Sequence, residues 1–404
     1  MINIDDVNKV NCCGCTACVN RCPVSAIKMQ EDFEGFQYPT VDMEKCINCG
    51  LCEKVCPVIA KSRKEKIANN YKEIISYVIR TKNEECLRKS TSGGFFTPIA
   101  NYVLNNDGLV VGVGYDEKMK VCHMIVNKLN TEKLKNMKGS KYVQSDLGNI
   151  FSEIKNKLDK DIFVLFSGTP CQVEGLLYFL GKNYNNLLTV DLICHGVPSP
   201  KLWNLYKEHQ ESKYKSKIKA FNFRNKTYGY HSGTMKLEFE NNKVYYGSAR
   251  VDYMLKSFFS EISSRPSCYD CKFKSKHHKS DFTIFDCWHA RELNNNILDD
   301  DKGFTNLFIN TSKGKDFFER VKAEYELYNS NYEDAIRLDG CMVESSAIPN
   351  NNRNDFYKDI NKYGLKQTIN KYIPIKTKDY LFEKIKGIIY KLKILQIIKK
   401  VVKK

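Results

Sequence analysis

The sequence predicts a mixed α/β protein fronted by a small, cysteine-rich α+β module, on three observations. Two copies of one cysteine pattern crowd into residues 12–57. A strand–helix–strand pattern fills residues 162–194. Lysines interleaved with apolar residues at three- and four-residue spacing run through the last 29 residues, the period of an amphipathic helix.

The first cysteine copy reads Cys12-Cys13-Gly14-Cys15-Thr16-Ala17-Cys18-Val19-Asn20-Arg21-Cys22-Pro23. The second reads Cys46-Ile47-Asn48-Cys49-Gly50-Leu51-Cys52-Glu53-Lys54-Val55-Cys56-Pro57. Each contains C-x2-C-x2-C-x3-C-P, in which three thiolates wrap one 4Fe–4S cubane and the fourth reaches the other. Two such runs predict two clusters with crossed ligation: Cys12, Cys15, Cys18 and Cys56 on one, Cys46, Cys49, Cys52 and Cys22 on the other. Pro23 and Pro57 turn the chain away, because proline cannot continue a helix. A zinc site would leave the third and fourth cysteine of each run idle, and a disulfide framework belongs to oxidising compartments. Cys13 breaks no spacing and reads as a spare. The segment resembles a bacterial two-cluster ferredoxin, whose clusters carry single electrons.

At 404 residues the chain is too long for that module alone and predicts two or three domains. Met1-Ile2-Asn3-Ile4-Asp5-Asp6 has neither a basic n-region nor an apolar h-region. With 17 cysteines, the expectation is a reducing, cytoplasmic setting. No stretch approaches the roughly 18 uncharged apolar residues of a membrane span. The formal net charge is +17, but ten lysines against Asp379 and Glu383 place +8 of it in residues 376–404. The remaining excess reads as solvated surface, and no nucleic-acid motif accompanies it.

Residues 61–72 are polar and charged and read as a linker. A strand at Ile74–Ile79 is followed by Ser90-Thr91-Ser92-Gly93-Gly94-Phe95-Phe96, a loop opening a helix to about Asn105, then a strand at Leu109–Tyr115. The segment Gly139–Ser145 precedes a helix at Asp146–Leu158. Ile162–Phe166 reads as a buried strand ending in Ser167-Gly168-Thr169-Pro170, with Thr169 as N-cap and Pro170 at the first helical position. The helix stops at Gly181, and Leu187–Cys194 is the next strand. Together they form a βαβ unit with parallel strands. Strands are further expected at Lys217–Phe223, Met235–Glu240, Val244–Gly247 and Asp281–Phe285, and a helix from about Lys201. The Asn-rich stretches 294–296 and 350–354 read as loops.

The βαβ unit puts Cys171 in a first helical turn and Cys194 at a strand's carboxyl end, the edge where α/β sheets bind ligands. A helix N-terminus also favours the thiolate that binds metal. With the C-x-x-C of Cys268-Tyr269-Asp270-Cys271 they make a four-thiolate set, either a third 4Fe–4S cluster or buried free cysteines. Cys86, Cys122, Cys287 and Cys341 lack metal spacing and read as packing.

These motifs carry a resemblance. Ser92-Gly93-Gly94-Phe95, Gly139-Ser140-Lys141-Tyr142-Val143-Gln144-Ser145, Leu165–Gln172, Asp191–Pro200 and Arg265–Cys271 are together similar to the coenzyme F-420 hydrogenase/dehydrogenase beta-subunit family, in its bacterial form with an N-terminal dicluster ferredoxin. With the ferredoxin segment they cover three quarters of the chain. The resemblance implies a ferredoxin domain at 1–62, a flavoprotein-like α/β core in two parts at 73–155 and 156–350, and a basic tail with an amphipathic helix at 351–404. It implies FAD beside an iron–sulfur cluster, with electrons passed to or from a small-molecule substrate or a partner oxidoreductase. Many bacterial members look like they belong with cell-surface polysaccharide synthesis. One departure is Ile284-Phe285-Asp286-Cys287-Trp288-His289, where the family's motif has small residues in place of Phe285 and His289. Side chains there are expected to crowd a ligand's approach to the backbone.

No Gly-x-Gly-x-x-Gly follows a strand and opens a helix. Flavin contacts are expected instead from Ser92, Gly93 and Gly94, whose backbone N–H groups either meet a phosphate or form a plain cap. Lys141 either neutralises phosphate or reduced flavin, or is an exposed lysine. Thr169 and Gln172 flank the core cysteines and are placed to hydrogen-bond sulfur or flavin. His195 reads as a proton relay or a core histidine bonded to backbone. In the tail, Leu381, Ile385, Ile388, Leu392, Leu395 and Val402 share one face, fit for an anionic membrane at the inner face or for packing on the protein or a partner subunit. The enzyme reading is an iron–sulfur flavoprotein oxidoreductase. Its rivals are a non-catalytic electron relay docking on a partner and an inert scaffold.

Overall fold

The computed structural model describes residues 4, 7, 9–62 and 74–392. The expected linker falls outside the described residues from 63 on, as do Leu395 and Val402 of the tail.

The N-terminal module is built on a hairpin of β1 (Ile27–Glu31) and β2 (Gln37–Val41), antiparallel in register Ile27↔Val41. Each cysteine run folds into a loop and a short helix, Ala17–Arg21 and Leu51–Lys54. The repeat is visible in the backbone. Gly14 and Asn48 share a left-handed φ (67° and 54°), as do Thr16 and Gly50 (63° and 67°), so equivalent positions of the two runs make the same turns.

The strands that follow are β3 (Ile75–Thr81), β4 (Leu109–Tyr115), β5 (Val121–Val126), β6 (Val164–Ser167), β7 (Leu187–Leu192), β8 (Ile218–Asn225), β9 (Thr234–Phe239), β10 (Val244–Ser248), β11 (Phe282–Cys287), β12 (Phe304–Ile309) and β13 (Tyr325–Asn329). Eight form one mixed sheet in the order β13-β3-β12-β11-β7-β6-β4-β5. Its centre is parallel: β6 pairs with β7 through Val164↔Leu187 to Ser167↔Val190, β4 with β6 and β7 with β11. The outer pairs are antiparallel. Parallel strands covered on both faces read as continuous apolar runs, and Val164, Leu165 and Phe166 are fully buried. One face carries the Phe96–Asn105 and Ser312–Glu319 helices through Ile99, Val103 and Phe317. The other carries the Ile150–Leu158 and Pro170–Leu180 helices through Phe151, Val173 and Leu176. Strands from 73–155 and from 156–350 interleave in this one sheet.

A second core surrounds the antiparallel sheet β10-β9-β8. It gathers Trp203 and Tyr206 of the Pro200–Tyr214 helix, Met254 and Leu255, and Phe36 and Tyr38 of the N-terminal module. Phe356, Tyr357, Ile360, Leu365 and Ile369 complete it. These last residues correct the expected tail. The expected 350–354 loop ends at 352, where the Arg353–Tyr363 helix begins, a second helix spans Leu365–Tyr372, and both are core elements. Only the Thr377–Lys391 helix stands outward. No helix among the described residues is long and apolar enough to cross a membrane.

Candidate iron–sulfur centre

Beyond β6 the chain turns at Thr169 into the Pro170–Leu180 helix, with proline in the first turn and a capping box between Thr169 and Gln172. The Thr169 N–H donates to Gln172 Oε1 at 3.0 Å, which fixes the helix start and with it Cys171. The Thr169 hydroxyl lies 3.1 Å from Cys171 Sγ. Past β7 the chain delivers Cys194, whose carbonyl accepts from Lys274 Nζ. Cys268 ends the Pro266–Cys268 turn, and the Cys271 N–H donates to Ser346 Oγ at 3.0 Å. Gly196 has φ 147°, and a Cβ there would lie 2.8 Å from Ser264 Oγ and 3.4 Å from Cys268 Cβ, so glycine allows this loop to close on the C-x-x-C segment.

The fold brings these four cysteines into one another's electrostatic field. Cys268 senses Cys194, Cys271 and Cys171, and Cys194 senses Cys171 and Cys271. Burial raises the Cys194 thiol to about 12 and Cys271 to about 11. These four half-buried cysteines, with Cys194, Cys268 and Cys271 raised by their neighbours in the set and Cys171 by Cys13, form a soft donor set that a thiophilic iron centre would relieve.

The module's first set behaves alike. Cys12, Cys15, Cys18 and Cys56 line a cavity of about 370 Å³, counting its mouth. Cys18 is raised by burial and by the charges of Cys12, Cys56 and Cys52, and Cys56 by burial and by Cys12. The fourth cysteine of the second run thus sits with the first three of the first run. In the other set Cys52 senses Cys49, and Cys22 Sγ accepts the Ala26 N–H at 3.2 Å. Among the described residues no three ligating side chains converge as a single ion requires. A mononuclear ion draws thiolates to about 2.3 Å from one point, whereas a cubane takes each on a different corner.

Cys13 is no spare. It lies between the two sets, its thiol paired with both Cys15 and Cys171. Behind it Gly175 presses on Cys15 so closely that a Cβ would fall 2.9 Å from Cys15 Cβ and 3.0 Å from its Sγ. The helix that presents Cys171 is therefore also a wall of the module's first cysteine loop. The doubled Cys12-Cys13 was the sequence signal.

The Gly139–Ser145 segment ties the remaining motifs together. At one end the Ser140 N–H donates to Thr91 Oγ1 at 2.9 Å, beside Ser92. At the other, Ser145 Oγ accepts from Gln172 Nε2 at 3.0 Å and meets His123 Nδ1 at 3.0 Å. Gln144 Nε2 donates to the Cys13 carbonyl at 3.2 Å. Lys141 Nζ donates to the carbonyls of Lys138 and Gly139 at 3.0 and 3.2 Å, and burial lowers its pKa to about 7. The Gly93 N–H, expected to face a ligand, donates to Thr305 Oγ1 at 2.8 Å, and Ser92 Oγ meets the same hydroxyl.

Against known proteins, residues 163–335 match the family model for the C-terminal part of the coenzyme F420 hydrogenase/dehydrogenase beta chain. Residues 11–60 match the 4Fe–4S dicluster domain. Residues 163–335 thus carry the C-terminal domain of the F420 hydrogenase/dehydrogenase beta-subunit family. The chain carries the dicluster module at its N-terminus, hence two 4Fe–4S clusters, and is an iron–sulfur electron-transfer protein. A search of curated proteins gave no match. A solved chain of the F420-reducing [NiFe] hydrogenase complex from Methanosarcina barkeri, a xenon derivative, is similar at 17% identity. The similarity covers 65% of this chain and 85% of that one, with a TM-score of 0.42.

The Ile284–His289 segment lies at the end of β11. Phe285 is buried against Phe308, ring centroids 5.0 Å apart, and packs with Ala335. His289 Nδ1 pairs with Asp339 Oδ1 at 2.7 Å. Asp286 pairs with Arg224 and accepts from Tyr230 Oη at 3.1 Å, while Trp288 stacks on Tyr230 at 4.4 Å under the Arg224 guanidinium at 4.7 Å. His195 Nε2 pairs with Glu261. Cys86 and Cys287 are buried packing residues, Cys122 is half-buried and Cys341 is exposed.

Proposed function

We propose that the chain is an iron–sulfur flavoprotein oxidoreductase that exchanges electrons between its dicluster module and a small-molecule substrate. The observation that carries this reading is that the Cys13 thiol pairs with both Cys15 and Cys171, while Gly175 of the Cys171 helix packs on Cys15, so that the module's first ligand set lies against the core set. Cys171, Cys194, Cys268 and Cys271 would hold a third 4Fe–4S cluster. FAD would lie by Ser92, Gly93, Gly94, Lys141, Thr169 and Gln172. Bound there, the cofactors supply one-electron carriers and a converter between one- and two-electron chemistry.

The protein's own groups set the conditions. The Thr169 hydroxyl, 3.1 Å from Cys171 Sγ, favours the anionic sulfur and so raises the potential of whatever it ligates. Lys141 is held by backbone carbonyls and has a pKa of about 7, so a phosphate or reduced flavin ring beside it would restore its charge. Gln172 holds Thr169 and Ser145 in place. For location we propose peripheral contact with an anionic membrane through the Thr377–Lys391 helix, where Leu381, Ile385, Ile388 and Leu392 are exposed.

Iron, sulfide and flavin content of protein purified without oxygen tests the reading. About twelve irons and one flavin per chain are expected, four irons per cubane. About eight irons without flavin would overturn it in favour of a relay docking on a partner oxidoreductase.

A further inference from the structure

Arg265 is completely buried and stands three residues ahead of Cys268. Its Nε donates to the Cys12 carbonyl at 2.7 Å, its Nη1 to Gln144 Oε1 at 2.9 Å and its Nη2 to the Gln37 carbonyl at 3.0 Å. The guanidinium lies over the Tyr38 ring, 4.1 Å from its centroid. Its own carbonyl accepts the Cys268 N–H at 2.9 Å. One residue thus holds the first ligand of the module's first set by its side chain and a ligand of the core set by its backbone.

These side-chain partners are neutral oxygens and a ring, and the charges that Arg265 feels most are Cys12, Tyr38, Cys13 and Cys268. A buried cation without an anion is costly, and arginine cannot shed its proton to escape the cost. The groups that could supply negative charge are the two cysteine sets, each net negative once four thiolates hold a cubane.

We propose that Arg265 is the shared counter-charge of two clusters, one on Cys12, Cys15, Cys18 and Cys56 and one on Cys171, Cys194, Cys268 and Cys271, and that it raises both reduction potentials. The inference rests on the core cluster of the proposed function. Reducing a cubane adds one electron and one negative charge with no proton, so a fixed cation beside it favours the reduced form. A cation between two such centres also offsets their mutual repulsion. Arginine suits the place because its planar fork satisfies Cys12, Gln37 and Gln144 together, which an ammonium would do less well. Arg265 is a positioning residue.

The test is an EPR-monitored redox titration of the full chain, with Arg265→Gln and Arg265→Lys beside the unmodified protein. Arg265→Gln is expected to lower the reduction constants of two clusters about tenfold, which is 59 mV each for one electron. The third, on Cys46, Cys49, Cys52 and Cys22, stays in place, and Arg265→Lys keeps all three near the unmodified values. Unchanged potentials, a shift of one cluster alone or an equal shift of all three overturns the proposal. Should Arg265→Gln lose iron, Gln144→Glu sets a carboxylate against Nη1 and offsets the charge, giving up the bond from Gln144 to the Cys13 carbonyl. It is expected to give the same two-cluster fall, and unmoved potentials there overturn the proposal equally. Twelve irons with unmoved potentials would sink this inference and leave the proposed function standing; eight irons would sink both.

Discussion

Glu34 and Arg353 form the tightest charged contact between the module and the rest of the chain. Arg353 Nη1 and Nη2 reach the two carboxylate oxygens at 2.9 and 2.6 Å, and both side chains are 7% exposed. Removing one partner of such a pair strands the other charge in the interior. Glu34→Ala is therefore expected to lower stability by about 3–5 kcal/mol, read from the denaturant midpoint of the transition that frees the N-terminal module. A midpoint within error of the unmodified protein would show that solvent already reaches the pair. The eight module cysteines were legible because their chemistry depends on local spacing. Arg265 and Arg353 were not, because Cys12 is 253 residues from one and Glu34 is 319 from the other. Cys13 was visible as a doubled cysteine, yet its partner Cys171 lies in a different motif.

Apolar runs and glycine punctuation located β3, β4, β6, β7 and the Pro170–Leu180 helix to within a few residues. β1, β2, β5, β12 and β13 escaped, and the last two show why. β12 (Phe304–Ile309) is entirely buried but has Asn306 at its centre, whose amide bonds Asp286 O and Asp339. β13 is a half-exposed edge with Glu326 among its residues. Asn350–Asn354 suggested a loop, which holds to Asn352, the residue before the Arg353–Tyr363 helix. At the far end the Thr377–Lys391 helix both packs and projects. Phe382 lies under Arg250 at 4.5 Å, Tyr390 meets Tyr228 at 5.1 Å and Glu383 bonds Ser248, while Leu381, Ile385, Ile388 and Leu392 stay exposed. If that second face meets an anionic surface, truncation after Ile375 removes co-sedimentation with phosphatidylserine-containing vesicles. Equal pelleting of both forms would sink the membrane reading.

For the molecule as a whole, the sequence indicated a ferredoxin module followed by an α/β core. It could not indicate how deeply the first is embedded in the second, because that depends on side chains meeting from distant segments. Phe36 and Tyr38 join the second core, and Gly175 packs on Cys15. Gly175→Val tests that docking. Its added carbons would overlap Cys15, so iron is expected to fall by about four per chain as one cubane is lost, with flavin retained. Unchanged iron would mean that the helix and the loop move apart without loss of the ligand.

The Glu34–Arg353 pair also has a consequence in time. A ribosome adds roughly 5–20 residues per second, so Arg353, 319 residues downstream, is made roughly 15–60 s after Glu34. Once Cys56 has been made, 22 residues after Glu34, the growing chain carries all eight module cysteines without that clasp. The cysteine loops are therefore expected to be open to iron loading before the last helices to be made close over the module.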